Sequence, residues 1–375
     1  MTRTIYICPI ALAQSPQAED GEAIRLGGAM VWASRFAILV REGGRLVSRR
    51  RVSVEEVPAA LGALPADLGA AAEAQWANLR KVHAPLGLAG RAGGTRTIRL
   101  DQPQVMGILN MTPDSFSDGG RFLDDAEVAS AHAAAMLEGG AAIIDVGGES
   151  TRPGAGAVWE GDELRRVVPM VERLFAMGAA ISIDTRRPAV MEAGLAAGAQ
   201  IVNDVSALRY DPRSLELVAA SGAPVVLMHA PGAGQDLHAG AGFDDVALDV
   251  FDWLAARRDA CVAAGIAPER IILDPGFGFG LSLAENLALF NALPLFHALG
   301  QPLLVGVSRK RMIGALSNEA PAHQRLGGSI ALATKAMDAG AHILRVHDVP
   351  ETVQAARVWR GLRDAALTDF SQVPE

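Results

Sequence analysis

Eight short apolar runs in this chain each end in a residue that can hydrogen-bond or carry charge. VMGILN ends at Asn110, AAIIDV carries Asp145, AISID ends at Asp184, and QIVND ends with Asn203 and Asp204. PVVLMH ends at His229, RIILD at Asp274, PLLVGVS at Ser308 with Lys310 just beyond, and HILRVH brings Arg345 and His347. Each run leads into segments rich in turn-forming or charged residues. NMTPDSFSDGG (110–120) is a turn-rich loop of the kind that acts as a lid. GGESTRPGA (147–155) combines glycines for close backbone approach with the hydroxyl of Thr151 and the guanidinium of Arg152, which suits phosphate or carboxylate. IDTRRP, VNDVSAL, DPGFGFG (274–280), GVSRKRMIG (306–314) and RVHDV follow the later runs. An Asp closing a strand is as often the N-cap of the next helix, and that alternative stays open for Asp145 and Asp204. It does not account for Lys310, Arg345 and His347 together. Neither Cys8 nor Cys261 lies in a motif, and Ser308 shows no obvious Ser/His/Asp arrangement around it.

Buried parallel strands read as continuous apolar runs, and here Ala/Leu-rich helical stretches separate them. Eight such units over about 250 residues predict a closed (β/α)8 barrel, a TIM barrel of the α/β class, with a doubly wound open sheet as the alternative. In a barrel the polar strand ends gather at one rim and make one pocket. Before the barrel, residues 34–41 and 45–54 are β-prone and joined by Glu42, Gly43 and Gly44, a hairpin signal. Helical stretches follow around 57–64 and 70–82, and 85–97 has linker composition. The expectation is a small α+β unit over 1–94 and the barrel over 95–375.

The 375 residues carry a net charge of −8, with 50% hydrophobic and 20% charged residues. That balance excludes general disorder, and no apolar run is long enough to span a membrane. The longest basic block is Arg49, Arg50 and Arg51, which is no footprint for nucleic acid and leaves a small molecule as the expected partner. Two cysteines build no disulfide scaffold, the N-terminus is a poor signal peptide, and a reducing cytoplasm fits best.

Taken together, the motifs resemble those of the dihydropteroate synthase family, over about 95–366 and in the family's order. NMTPDSFSDGG and GGESTRPGA carry the resemblance most specifically; DPGFGFG alone would be weak. The resemblance implies condensation of 6-hydroxymethyl-7,8-dihydropterin pyrophosphate with 4-aminobenzoate, with loss of pyrophosphate, Mg2+ as cofactor and a homodimeric assembly. It implies a pterin slot of Asp184, Asn203, Asp274, Lys310 and Met228, whose carboxylates and amide suit an amino-pyrimidine edge; Met228 equally reads as plain core. It implies a pyrophosphate site of Asn110, Thr151, Arg152, Arg345 and His347, with Asn110 also holding the metal. For 4-aminobenzoate it implies Phe116, Pro153 and Phe279 against the ring, with Ser308 and Thr151 at hydrogen-bonding positions. Asp118 and Arg152 would lie on the two closing loops.

Other residues have plainer readings. His83, His132, His238, His297, His323 and His342 match no motif and read as surface or satisfied core. Asp145 reads equally as ligand or loop support, Phe277 as core, and Arg186 and Arg187 as solvated charges at a helix start. The runs 329–339 and 352–367 are candidate interface surfaces or ordinary barrel packing. A pterin-binding methyltransferase has no use for a pyrophosphate site, and a non-catalytic pterin-binding protein would not need Lys310, Arg345 and His347. Two departures from the family stand out: Leu281 where a Lys is common after GFGFG, and APGAGQDLH (230–238) in place of the usual fifth loop. If Leu281 weakens the arylamine site, Leu281→Lys should lower the KM for 4-aminobenzoate; an unchanged KM in steady-state kinetics would count against it.

Overall fold

In a computed structural model the protein is described over residues 3–18, 21–111, 126–150, 158–232, 234, 236–239 and 242–368. The expected N-terminal hairpin forms from β5 (Trp32–Glu42) and β6 (Arg45–Ser53), turning at Gly43 and Gly44, whose φ values of 53° and 83° favour glycine. β1 (Arg3–Ala13) pairs antiparallel with β5 on its other side. The short pieces β2 (Gln17–Ala18), β3 (Gly21–Glu22) and β4 (Ile24–Arg25) complete this part of the chain, with α1 (Val57–Gly62) and α2 (Ala66–Leu79). Phe36 of the sheet meets Trp76 of α2 edge to face at 5.1 Å.

The stretch expected to be a linker is instead a hairpin of β7 (Leu86–Ala89) and β8 (Thr95–Ile98). Its glycines and arginines mask the alternation that matters: Leu86 and Leu88, with Ile98 and Leu100, close the bottom of the barrel. There they meet one apolar residue from each run, namely Met106, Ile143, Ala180, Ile201, Val226, Ile272, Leu304 and Ile343.

All eight expected strands form: β9 (Gln104–Asn110), β10 (Ile143–Gly147), β11 (Ile181–Asp184), β12 (Ile201–Asp204), β13 (Val225–Met228), β14 (Ile271–Asp274), β15 (Leu304–Val305) and β16 (Ile343–Val346). They pair in parallel, in the order β14-β13-β12-β11-β10-β9-β16-β15, and a bridge between Leu273 and Leu303 closes the circle. The helices alternate with them: α3 (Ala126–Glu138), α4 (Glu160–Ala176), α5 (Pro188–Ala197), α6 (Pro212–Ser221), α7 (Val246–Ala263), α8 (Leu283–Asn291), α9 (Arg311–Leu316), α10 (Leu326–Asp338) and α11 (Val349–Leu367). Side chains alternate across each strand, so the residues two and four beyond the bottom layer also face inward. That rule selects Asn110, Asp145, Asp184, Asn203, Met228, Asp274, Ser308, Arg345 and His347.

The N-terminal unit docks on the barrel's flank. Asn78 Nδ2 donates to the Ala298 carbonyl at 3.0 Å, Lys81 Nζ to that of Gly300 at 3.1 Å, and Tyr6 packs edge to face on Phe251 of α7. His83, His297 and His342 are core residues of this junction, as their lack of any motif suggested.

Candidate functional site

The inward strand ends open into a cavity of about 830 Å3 at the C-terminal rim. Asn110, Asp184, Asn203, Met228, Asp274, Phe279, Ser308, Lys310, Arg345 and His347 all line it. Phe116, Asp118, Thr151, Arg152 and Pro153 lie outside the described residues. Three strand-end residues expected at the rim do not face the cavity. Asp204 and His229 have the opposite parity. The Asp204 carboxylate caps its own turn, accepting from Ser206 and Leu208 backbone N–H groups, and the His229 ring packs on Trp253 and Phe243. Asp145 is inward but lies beneath the cavity floor, fully buried.

At the centre Arg345 joins two carboxylates. Its Nε donates to Asp145 and its Nη2 to Asp184, each at 2.6 Å, and Asn203 Nδ2 donates to Asp145 at 3.1 Å. Burial opposes the guanidinium's charge, but Asp145 and Asp184 outweigh it and hold Arg345 more basic than usual. Burial pushes Asp184 up to about 7 against the pull of Arg345, and Asp145 adds to the rise. Burial likewise raises Asp274 to about 6, opposed by the Gly276 N–H, which it accepts at 2.8 Å, and by Lys310 and Arg345. Gly276 is required by close approach: with φ at 79°, a Cβ there would stand 1.9 Å from the His229 carbonyl oxygen.

One side of the cavity is aromatic. Lys310 Nζ stands 4.5 Å from the centroid of Phe279, and His238 stacks on the same ring at 5.1 Å with the planes 6° apart. His238 therefore belongs to the cavity wall rather than to the surface or core. Phe277, read as core, is buried and also reaches the lining. Ser308 Oγ lies 3.1 Å from His347 Nδ1 and accepts the His347 backbone N–H at 3.2 Å. The contact fixes the eighth loop against the seventh. Arg186 and Arg187 are not solvated. Arg186 pairs with Glu149 at 2.9 Å, Arg187 pairs with the same carboxylate and with Glu163, and all four side chains are buried. The acidic partners sit in or beyond GGESTRPGA, so only the folded chain brings the pairs together. Among the described residues no cluster of three His, Cys, Asp or Glu could hold a metal. Asn110, on the cavity lining, offers an amide oxygen, a donor suited to a hard cation that keeps most of its waters.

The family described as pterin binding enzyme matches residues 106–347. The dihydropteroate synthase of Neisseria meningitidis serogroup B is 48% identical over 274 residues, covering 72% of this chain and 96% of the relative. The chain belongs to the dihydropteroate synthase family. Solved dihydropteroate synthases agree: the Xanthomonas albilineans enzyme with 4-aminobenzoic acid superposes with a TM-score of 0.68 at 46% identity, covering 78% of this chain and all of that one. The same enzyme in complex with 7,8-dihydropteroate gives 0.66 at 44% identity, covering 77% and 100%. The family match begins at residue 106, so most of the N-terminal unit is an addition to what this dihydropteroate synthase family member shares with that family.

The raised Asp274 carboxyl gives a pH-dependent prediction. Its folded value, about 6, exceeds its ordinary 3.8, so ionising it in place costs stability that grows between those pH values and then levels. Asp274→Asn removes that cost. Its stability relative to the native protein should rise from pH 4 to pH 7 by up to about 3 kcal/mol. Denaturant unfolding at several pH values reads this directly, and a pH-independent difference would refute it.

Proposed function

We infer that the chain is a dihydropteroate synthase, joining 6-hydroxymethyl-7,8-dihydropterin pyrophosphate to 4-aminobenzoate and releasing pyrophosphate. What carries the reading is the convergence of Asp184, Asn203, Asp274 and Lys310 below a rim that holds Asn110, Ser308 and His347. Asp184, Asn203 and Asp274 offer the acceptors and the amide that a pterin edge needs, with Lys310 as donor and Met228 as apolar floor. The Arg345 atoms Nε and Nη2 are committed to carboxylates, which leaves Nη1 for the anion, beside Asn110 and His347. Thr151 and Arg152 are assigned to the same anion, and Asp118 and Arg152 to loop closure. Phe279 and Ser308, with Phe116, Pro153 and Thr151, are assigned to the arylamine.

The residues suit a displacement in which the C–O bond to pyrophosphate breaks first and the arylamine nitrogen attacks the exocyclic methylene cation. The buried carboxylates stabilise that cation, while Arg345 and His347 receive the departing charge. Bound at Asn110, Mg2+ would neutralise the pyrophosphate. The Ser308–His347 contact is no nucleophile pair in this scheme, because displacement through a cation needs no protein nucleophile. A methyltransferase or a purely binding role leaves the rim cations without a purpose, and the relatives favour the synthase.

We place the protein in the cytoplasm. Cys8 and Cys261 are free thiols, burial raises both pKa values, and no helix among the described residues is long and apolar enough to cross a membrane. The division into an N-terminal unit over 1–94 and a barrel over 95–375 is retained as a proposal, with β7 serving the barrel. Sulfonamides should compete with 4-aminobenzoate. We also assign a homodimer to the outer face of α11, where Val358 and Leu362, one turn apart, are 61% and 63% exposed. Sedimentation should then give twice the chain mass, and Leu362→Glu a monomer; a monomeric native chain would refute the assignment.

Purified protein supplied with pterin pyrophosphate, 4-aminobenzoate and Mg2+ should release pyrophosphate and form dihydropteroate only when both substrates are present, and chelation should suppress it. Pterin binding without arylamine-dependent release would overturn the synthase reading.

A further inference from the structure

The N-terminal unit takes no part in the chemistry assigned above, yet the turn of its β5–β6 ribbon reaches the catalytic rim. A Cβ at Gly44 would stand 3.1 Å from Asp244 Oδ2, at the end of the fifth βα loop. Just before the turn, the buried Arg41 leaves its sheet and enters a group of acids at the start of α7. Its Nη1 donates to Asp249 Oδ1 at 2.6 Å and lies 3.7 Å from Asp252, while Nη2 is 3.9 Å from Asp244. A one-residue irregularity opposite Val40 and Arg41, which leaves Val47 unpaired, gives the ribbon the local twist to do this. Tyr6 of β1 adds a hydrogen bond to Asp252 at 2.7 Å.

Asp249 passes this contact on to the loop. Its second oxygen accepts the backbone N–H groups of Asp244 and Asp245 at 3.0 and 3.2 Å, the last two residues before α7. The other end of the same loop is held by the barrel itself: Arg209 donates to the carbonyls of Ala230 and Gly232, and Arg186 to that of Gly234. Between these anchors lies His238, stacked on Phe279 and accepting the Gly280 N–H at 3.2 Å.

We propose that Arg41 is a positioning residue for the arylamine half of the site: through Asp249 it fixes the C-terminal end of the fifth loop and thereby the placement of His238 against Phe279. A guanidinium does this where a neutral group would not. Asp244, Asp249 and Asp252 converge on one spot, and without a cation between them their mutual repulsion would draw Asp249 away from the two backbone N–H groups. The N-terminal unit is then a brace built into the enzyme rather than an appended module. The inference rests on the synthase reading for the identity of the affected substrate, but not for the mechanical link.

The test uses the full chain. Arg41→Gln should raise the KM for 4-aminobenzoate about tenfold while kcat and the KM for pterin pyrophosphate move less than about twofold, the cost of a misplaced wall at one substrate. Arg41→Lys should recover part of the loss. In a His238→Ala background the Arg41→Gln change should add little, because both act through one contact. Asp249→Asn, a milder change should Arg41→Gln fail to fold, should give the same substrate-selective shift. Equal effects on both substrates, or full additivity with His238→Ala, would overturn the proposal. Hydrogen exchange separates this from the synthase reading. The amides of Asp244 and Asp245 should exchange faster in Arg41→Gln whether or not the protein turns over, and unchanged exchange would show that the link does not exist.

Discussion

Everything at the centre of this barrel depends on Arg345. A guanidinium in a protein interior is tolerated only when its charge is met at close range, and here Asp145 and Asp184 meet it at 2.6 Å from two sides. The same contacts fix the carboxylates. Asp145 also accepts from Asn203, so four strands, β10, β11, β12 and β16, are tied across the barrel interior above its apolar bottom layer. Removing Arg345 would leave both carboxylates without their cation, which is more costly than never having placed them there. The arrangement is still short of cations, since Asp274 adds a third carboxylate and burial raises both it and Asp184. A ligand that brings several N–H donors to this place relieves that shortage, so the buried carboxylates favour its binding.

Around this centre the chain holds its loops with ion pairs. Glu149 takes both Arg186 and Arg187, and Glu163 of α4 takes Arg187, joining the loop after β11 to the loop after β10 and to α4. Arg309 pairs with Asp348 and Ser308 with His347, joining those after β15 and β16. The loop after β13 is held by Arg209 and Arg186 at one end and by Arg41, from outside the barrel, at the other. A rigid barrel with short strands leaves loop positions weakly determined, so separate contacts are needed to place the side chains that meet a substrate. Burying each pair compensates the other's charge and restricts the loop to one geometry.

Much of this was legible in the sequence. Eight apolar runs closed by polar residues specify the barrel, because a strand covered on both faces has no polar position until it emerges at the rim. The cavity-lining role of Asp184, Asn203, Asp274, Ser308, Lys310, Arg345 and His347 follows from that. Asp204 and His229 differ by one position from inward neighbours, and a strand's alternation sends them outward. The hairpin after α2 is not legible in the sequence, because two leucines alternating with Gly and Ala carry too little signal among glycines and arginines.

What the sequence determined by itself is what local pattern controls: the strand ends, the glycine-bearing turns and the residue types available at one rim. Tertiary structure alone decided the pairings between distant residues. Arg345 with Asp145 spans 200 positions, Arg41 with Asp249 spans 208, and Tyr6 with Asp252 spans 246. Whether a charged side chain is solvated, as Arg186 and Arg187 appear by sequence, or buried in an ion pair depends on which strands become neighbours. That is fixed by closure of the barrel and by docking of the N-terminal sheet on its flank, and no short-range preference of the chain encodes either.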